Sequence, residues 1–252
     1  MTELVAQEEQ EEIDEFRITK LDLSRIVTEN DTPVDNLFSE RQMRLLAESL
    51  YTSWAGPGEG RTFVAMANVG LFFHLHQPPL VPNVLVSLDV TLPSGPWEKE
   101  HRSYFVWEYG KPPDIVVEIV SNKVGKELGD KLLDYARLGV AYYIVYDPGQ
   151  FVSQHPLRIF TRQGLRYTEI TDAWLAEVGI GVTLWEGEYE HMTDLWLRWC
   201  DQQGVLLATG QEALAEKSQQ LAFASQRAEQ AERRAAALAA KLAALGIDPE
   251  LD

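Results

Sequence analysis

Glu118 is a carboxylate placed where the sequence leaves it little water. In the run Pro113-Asp114-Ile115-Val116-Val117-Glu118-Ile119-Val120-Ser121, five residues are Ile or Val and Glu118 interrupts them. Such β-branched side chains favour a pleated backbone, and Pro112-Pro113 stops a helix from running in, so the run reads as a buried strand. An ionised carboxylate there needs a cation, because stripping it of water without a partner costs several kcal/mol. Glu118, Asp114, Asp89 and Lys131 are the candidates for a hard-cation site, in which carboxylates hold Mg²⁺ and a lysine steadies developing negative charge. Asp114 and Glu118 share a strand face, but four residues span roughly 13 Å, too far for both to ligate one ion. Asp114 therefore reads as closing the turn after Pro113. Lys131 adjoins Leu132 on the following helix, where its stem can run along the apolar face and bring the ammonium to Glu118. The same pair reads equally well as a structural ion pair between sheet and helix.

Other chemistries lack their residues. There is no Cys-x-x-Cys, no His-Glu-x-x-His, no phosphate-cradling glycine loop and no Gly-x-Ser-x-Gly elbow. His74 and His76 fall on one strand face and can ligate a metal, although alternate histidines beside apolar residues more commonly pack an edge strand.

The elements that must position Glu118 and Lys131 follow from periodicity. Over residues 125–139, Leu128, Leu132, Tyr135 and Ala136 fall at i, i+4, i+7 and i+8, one face of a helix that Gly139 ends, and 141–146 reads as a second buried strand. Strand, helix and strand form a βαβ unit whose strands are expected parallel and whose crossover is expected right-handed. Glu118 then lies near the C-terminal end of its strand, where open α/β sheets place ligands. Upstream, Ser39 reads as the N-cap of a helix through ERQMRLLAESLYTSW, with Met43, Leu46, Leu50 and Trp54 on one side. After a GPGEG turn, residues 62–74, 81–92 and 103–109 read as strands, and LRIFTR and LRYTEI flank Gln163-Gly164 as a hairpin. The expected fold class is mixed α/β: one central mixed sheet flanked by helices.

The chain has 252 residues, enough for one well-buried domain and an appendage. Its single Cys200, inside LWLRWC, which reads as helical, cannot form an internal disulfide; a buried structural thiol in a reducing cytoplasm is expected. No run of 18 apolar residues occurs, and the N-terminus is acidic where a signal peptide is basic, so a cytoplasmic protein off the membrane is expected. A formal charge of −17 argues against nonspecific nucleic-acid binding. DNA affinity would rest on Lys123, Lys126, Arg137, Arg158, Arg162 and Arg166. Residues 1–15 hold seven acids and no base, the composition of a disordered arm; 16–205 form the domain and 206–252 a tail. In that tail Leu214, Leu221, Ala228, Ala235 and Leu242 recur every seven residues, and Ala224, Ala231, Leu238 and Leu245 fill the second seam position. A coiled coil ended by Gly246 and Pro249, and hence a homo-oligomer, is expected.

Over roughly residues 35–200, PPLVPNVLVSLDV (78–90), PPDIVVEIVSNKVGKELGDKLLDYARLGVAYYIVYDP (112–148) and VGIGVTLWEGEYEHMTDLWLRWCD (178–201) resemble the bacterial Uma family of the PD-(D/E)xK nuclease superfamily. Longer members also look similar in carrying an Ala/Glu/Arg-rich helical tail. The resemblance implies a restriction-endonuclease-like mixed sheet and a Mg²⁺- or Mn²⁺-dependent site acting on DNA, built from a strand Asp, a Glu on the next central strand and a Lys. The Glu falls on Glu118. The usual strand Lys position is Val120, and the family's lysine, supplied by the following helix, falls on Lys131. The Asp of the family's Val-Pro-Asp is here Asn83, whose amide oxygen can coordinate Mg²⁺ without adding charge. Either another carboxylate serves or the site is degenerate. Two readings stand: a metal-dependent endonuclease, with Glu118 and Lys131 catalytic and Asn83 and Glu118 on the metal, or a nuclease-fold module that only oligomerises and binds partners.

Overall fold

A computed structural model describes residues 36–245, apart from 59, 76, 96 and 123–125. The acidic arm of residues 1–15, His76, Lys123 and the stop at Gly246 and Pro249 lie outside the described residues. Helix α1 (Leu37–Ser53) begins earlier than its expected cap: Asn36, not Ser39, is the N-cap, its side chain accepting the Ser39 N–H at 2.9 Å. Asn caps as well as Ser does, and the earlier start brings Phe38 into the helix, where it stacks on Trp196 at 5.0 Å.

The expected strand at 62–74 breaks after β1 (Phe63–Ala67), because Asn68 turns to φ +55, and resumes only as the two-residue β2 (Leu71–Phe72). Next comes β3 (Val84–Leu88). The strand expected at 103–109 shrinks to β4 (Tyr104–Phe105), followed by the one-turn helix α2 (Val106–Tyr109), which Gly110 ends at φ +73. The strand-helix-strand unit follows: β5 (Ile115–Ile119), α3 (Asp130–Leu138) and β6 (Tyr142–Tyr146). The helix starts at Asp130 rather than near 125, and Gly139 ends it at φ +104. The expected hairpin is β7 (Leu157–Gln163) and β8 (Arg166–Ile170), paired Gln163↔Arg166 across Gly164-Leu165. These strands make a six-stranded mixed sheet ordered β1-β3-β5-β6-β7-β8, in which β5 and β6 are parallel, as expected, and the other neighbours antiparallel.

The expectation of one sheet is incomplete. β9 (Trp174–Leu175), β10 (Ile180–Tyr189) and β11 (Met192–Cys200) form a separate antiparallel sheet, and β2 and β4 pair in parallel. LWLRWC is thus strand, not helix. Both its faces are covered: Leu197 and Trp199 join the main core, while Trp196 packs with Leu45 and Tyr189, so its apolar residues show neither period cleanly. Cys200 is a buried free thiol, as expected.

One face of the central sheet, with Val86, Val117, Ile119 and Ile144, is covered by Met43, Leu46 and Leu50 of α1 and by Leu197 and Trp199 of β11. The other, with Leu85, Val116, Val120 and Val145, is covered by Tyr135 of α3 and by Tyr104. The Gln42 amide binds both the N–H and the C=O of Leu197, at 3.0 and 2.8 Å, fastening α1 to β11. The tail is one exposed helix, α4 (Gly210–Ala244), capped by Thr209 and Glu212 in a reciprocal box. No helix of the described residues is long and apolar enough to cross a membrane.

Candidate active site

Glu118 lies on β5 between Val116 and Val120, on the face that α3 covers, and is 1% exposed. Its Oε1 accepts the Tyr135 hydroxyl at 2.7 Å and its Oε2 the Lys131 ammonium at 3.0 Å. Both donors come from α3, one turn apart, so a single helix face supplies them. Burial pushes the Glu118 carboxyl above the usual carboxylate range, against the pull of Lys131 and Tyr135. Burial also pulls the Lys131 ammonium down, but the facing Glu118 and Glu127 outweigh it and hold the amine above its ordinary value. The Tyr135 hydroxyl is pushed well up by burial and by Glu118, and so remains a donor.

Lys131 has a second acceptor, Glu127 Oε1 at 3.4 Å. Glu127 precedes α3 by one turn and is 7% exposed. Two carboxylates thus face one ammonium, a net negative pocket suited to a further small, hard cation. Among the described residues no three His, Cys, Asp or Glu side chains converge as a metal cage. An ion here would lean on one or two carboxylates, water and a substrate phosphate, the manner in which Mg²⁺ is commonly held.

The β3–β5 register sets Val84 opposite Val117, and one step further it sets Asn83 across from Glu118. Asn83 Oδ1 accepts the Ile119 N–H at 2.7 Å, and its Nδ2 lies 3.7 Å from Met43 Sδ. The amide thus extends the ladder bonding beyond β3, and it reaches Met43 on the α1 face of the sheet. Glu118 and Lys131 are therefore brought into direct contact, whereas Asn83 lies across from Glu118 in the ladder with its amide turned towards α1 and its oxygen already accepting one bond.

The other candidates go elsewhere. Asp114 accepts the Leu88 N–H at 2.7 Å and the Lys111 ammonium at 2.6 Å, closing the chain ahead of β5. Asp89 holds Arg61 through two bonds of 2.8 and 2.6 Å on the surface. His74 is exposed just past β2. Of the basic residues, Lys126 pairs with Asp130, Arg137 with Asp134 and Arg158 with Glu169, and Arg162 binds the Gly164 carbonyl. Tyr135 and Glu127 were not singled out by sequence, although each stands four residues from Lys131, the spacing that would have found them.

A family model described as "Uma2: Putative restriction endonuclease" matches residues 27–184. No curated protein matches the chain.

Proposed function

The chain belongs to the Uma2 family, and from that premise we propose that it is a metal-dependent endonuclease hydrolysing DNA phosphodiester bonds. The observation that carries this reading is the Glu118 carboxylate, buried at the end of a central strand yet held by Lys131 at 3.0 Å and Tyr135 at 2.7 Å. Glu118 and Asn83 would hold Mg²⁺ or Mn²⁺, whose chemistry is to polarise the phosphodiester and make a bound water nucleophilic. Tyr135 fixes the Glu118 carboxylate. Lys131, with its side chain 30% exposed, is the part of the cluster a substrate can meet, and it offsets the charge that builds on the phosphoryl oxygens. The exposed helix α4 pairs two copies, which gives one site for each strand of a duplex.

A second reading, a nuclease fold serving only as an oligomerising interaction module, is favoured by one observation: Asn83 brings no charge and its oxygen already accepts the Ile119 N–H. Calorimetric titration with Mn²⁺ followed by a DNA cleavage assay decides between them. The nuclease reading expects metal binding and cleavage by the parent chain, and neither by Glu118→Gln with an unchanged circular dichroism spectrum. Cleavage that persists in that variant overturns the assignment.

A further inference from the structure

Asn83 leaves the site one charge short, and a buried atom nearby has a bond to give. Glu127 is 7% exposed, its Oε1 lies 3.4 Å from Lys131 Nζ, and its Oε2 is buried with no hydrogen-bond partner among the described residues. An unpartnered carboxylate oxygen in the interior is costly. The cost has no evident structural return, since Lys131 already bonds Glu118 at the shorter 3.0 Å.

We propose that Glu127 is the second metal-binding carboxylate of this site, taking with Glu118 a divalent cation of the Mg²⁺ or Mn²⁺ class in place of the charge that Asn83 lacks. The proposal rests on the nuclease reading above and adds to it. Both carboxylates meet the one Lys131 ammonium, so they lie near enough to share an ion. Each keeps lone pairs for it: Oε2 of Glu127 is wholly free among the described residues, and Glu118 accepts a single bond on each oxygen. Two carboxylates against one ammonium leave the cluster net negative, which draws a cation in; a divalent ion then makes it net positive, and a substrate phosphate would restore the balance. Hard cations prefer such oxygen donors, and Mg²⁺ accepts a site of two carboxylates completed by water and phosphate. Glu127 also precedes α3 by a turn and stands four residues from Lys131, so the loop entering the helix delivers the ligand to the amine's own side.

The test is Mn²⁺ binding, read by calorimetry on the full chain with no nucleic acid present. Glu127→Gln should weaken binding at least tenfold while its metal-free melting temperature stays level or rises, because the variant removes a buried charge with an unsatisfied oxygen. Glu127→Cys should lose Mn²⁺ and gain Cd²⁺, a metal that prefers thiolate; Cys200 in the parent chain is buried and sets the background. Mn²⁺ affinity within twofold of the parent in Glu127→Gln, while Glu118→Gln loses it, overturns the role of Glu127 and leaves the nuclease reading standing. The absence of Cd²⁺ gain in Glu127→Cys overturns direct ligation. Mn²⁺ binding that Glu118→Gln leaves intact overturns the nuclease reading itself, and the proposal with it.

Discussion

At the scale of single residues, Asn83 is where backbone architecture meets the proposed metal site. Its oxygen holds the Ile119 N–H at 2.7 Å, a bond that a carboxylate makes at least as well. Asn83→Asp should therefore keep the fold while adding a negative charge beside Glu118. At a separation of a few ångströms that is worth on the order of 1 to 4 kcal/mol towards a cation, or about tenfold or more in Mn²⁺ affinity by calorimetry. An unchanged affinity would mean that position 83 does not face the ion. Tyr135→Phe strips one donor from the buried Glu118 carboxylate; a loss of about 1 to 3 kcal/mol in urea unfolding is expected, and a value near zero would make that 2.7 Å contact incidental. Away from the site, Gly181 lets two elements approach: an added Cβ would stand 2.9 Å from Cys200 Sγ and 3.3 Å from Trp174. Gly181→Ala should cost about 1 to 3 kcal/mol through overpacking. Adding Cys200→Ala should recover part of it, whereas a double variant no better than the single one would place the clash elsewhere.

At the scale of elements, β5, α3 and β6 were legible because their signals are local: a β-branched run, a 3.6-residue apolar stripe and a terminating glycine. Glu118 and Lys131 came with them, since a charge inside such a strand must be answered by the helix that covers it. Tyr135 did not, because a tyrosine on an apolar helix stripe counts as core until its hydroxyl is seen to reach the carboxylate. Glu127 did not, because a glutamate in a polar stretch before a helix looks solvated. β11 was mistaken for helix where burial on both faces erases alternation, and the cap fell on Ser39 where Asn36 competed on equal terms. The start of α4 depends on a charge pair: Arg198, 1% exposed, grips both oxygens of Glu212 at 3.0 and 2.7 Å. Burial alone would raise the Glu212 carboxyl, but the Arg198 bonds and the Thr209 N–H hold it below its ordinary value. A depressed carboxylate contributes stability above its unfolded pKa and loses it as pH falls through the folded one. The melting-temperature gap between the parent and Glu212→Gln should therefore be full at neutral pH and close below about pH 4; a gap that does not change with pH would show that the pair contributes no ionic stabilisation.

At the scale of the whole molecule, α4 leaves Leu214, Leu221, Leu238 and Leu245 between 61 and 74% exposed, an apolar seam that nothing in the described residues covers. With that seam at a and d, the g positions are Gln220, Arg227, Arg234 and Lys241, and the e positions are Ser218, Ser225, Glu232 and Ala239. An antiparallel pair would set the basic g row against itself, whereas a parallel pair sets Arg227 against Glu232 of the partner subunit. A dimer formed through this seam is therefore expected to be parallel, with both bodies at one end. Mild oxidation of Leu245→Cys should yield a covalent dimer, since antiparallel copies would hold the two thiols about 50 Å apart; a dimer in light scattering that fails to cross-link would reverse the orientation. Truncation after Gly210 should leave a monomer. The mounting of α4, through its Thr209 cap, the Arg198 grip and the Glu48 carboxylate on the Gly210 N–H at 2.8 Å, fixes a rod of 35 residues to the body. At about 1.5 Å per residue the rod is roughly 52 Å long. Translational drag rises almost in proportion to the length of a rod, but only as the cube root of the mass of a sphere. The 28.5 kDa chain should therefore leave a gel-filtration column well ahead of a sphere of its weight even as a single copy, so that elution volume read alone would count two molecules where there is one.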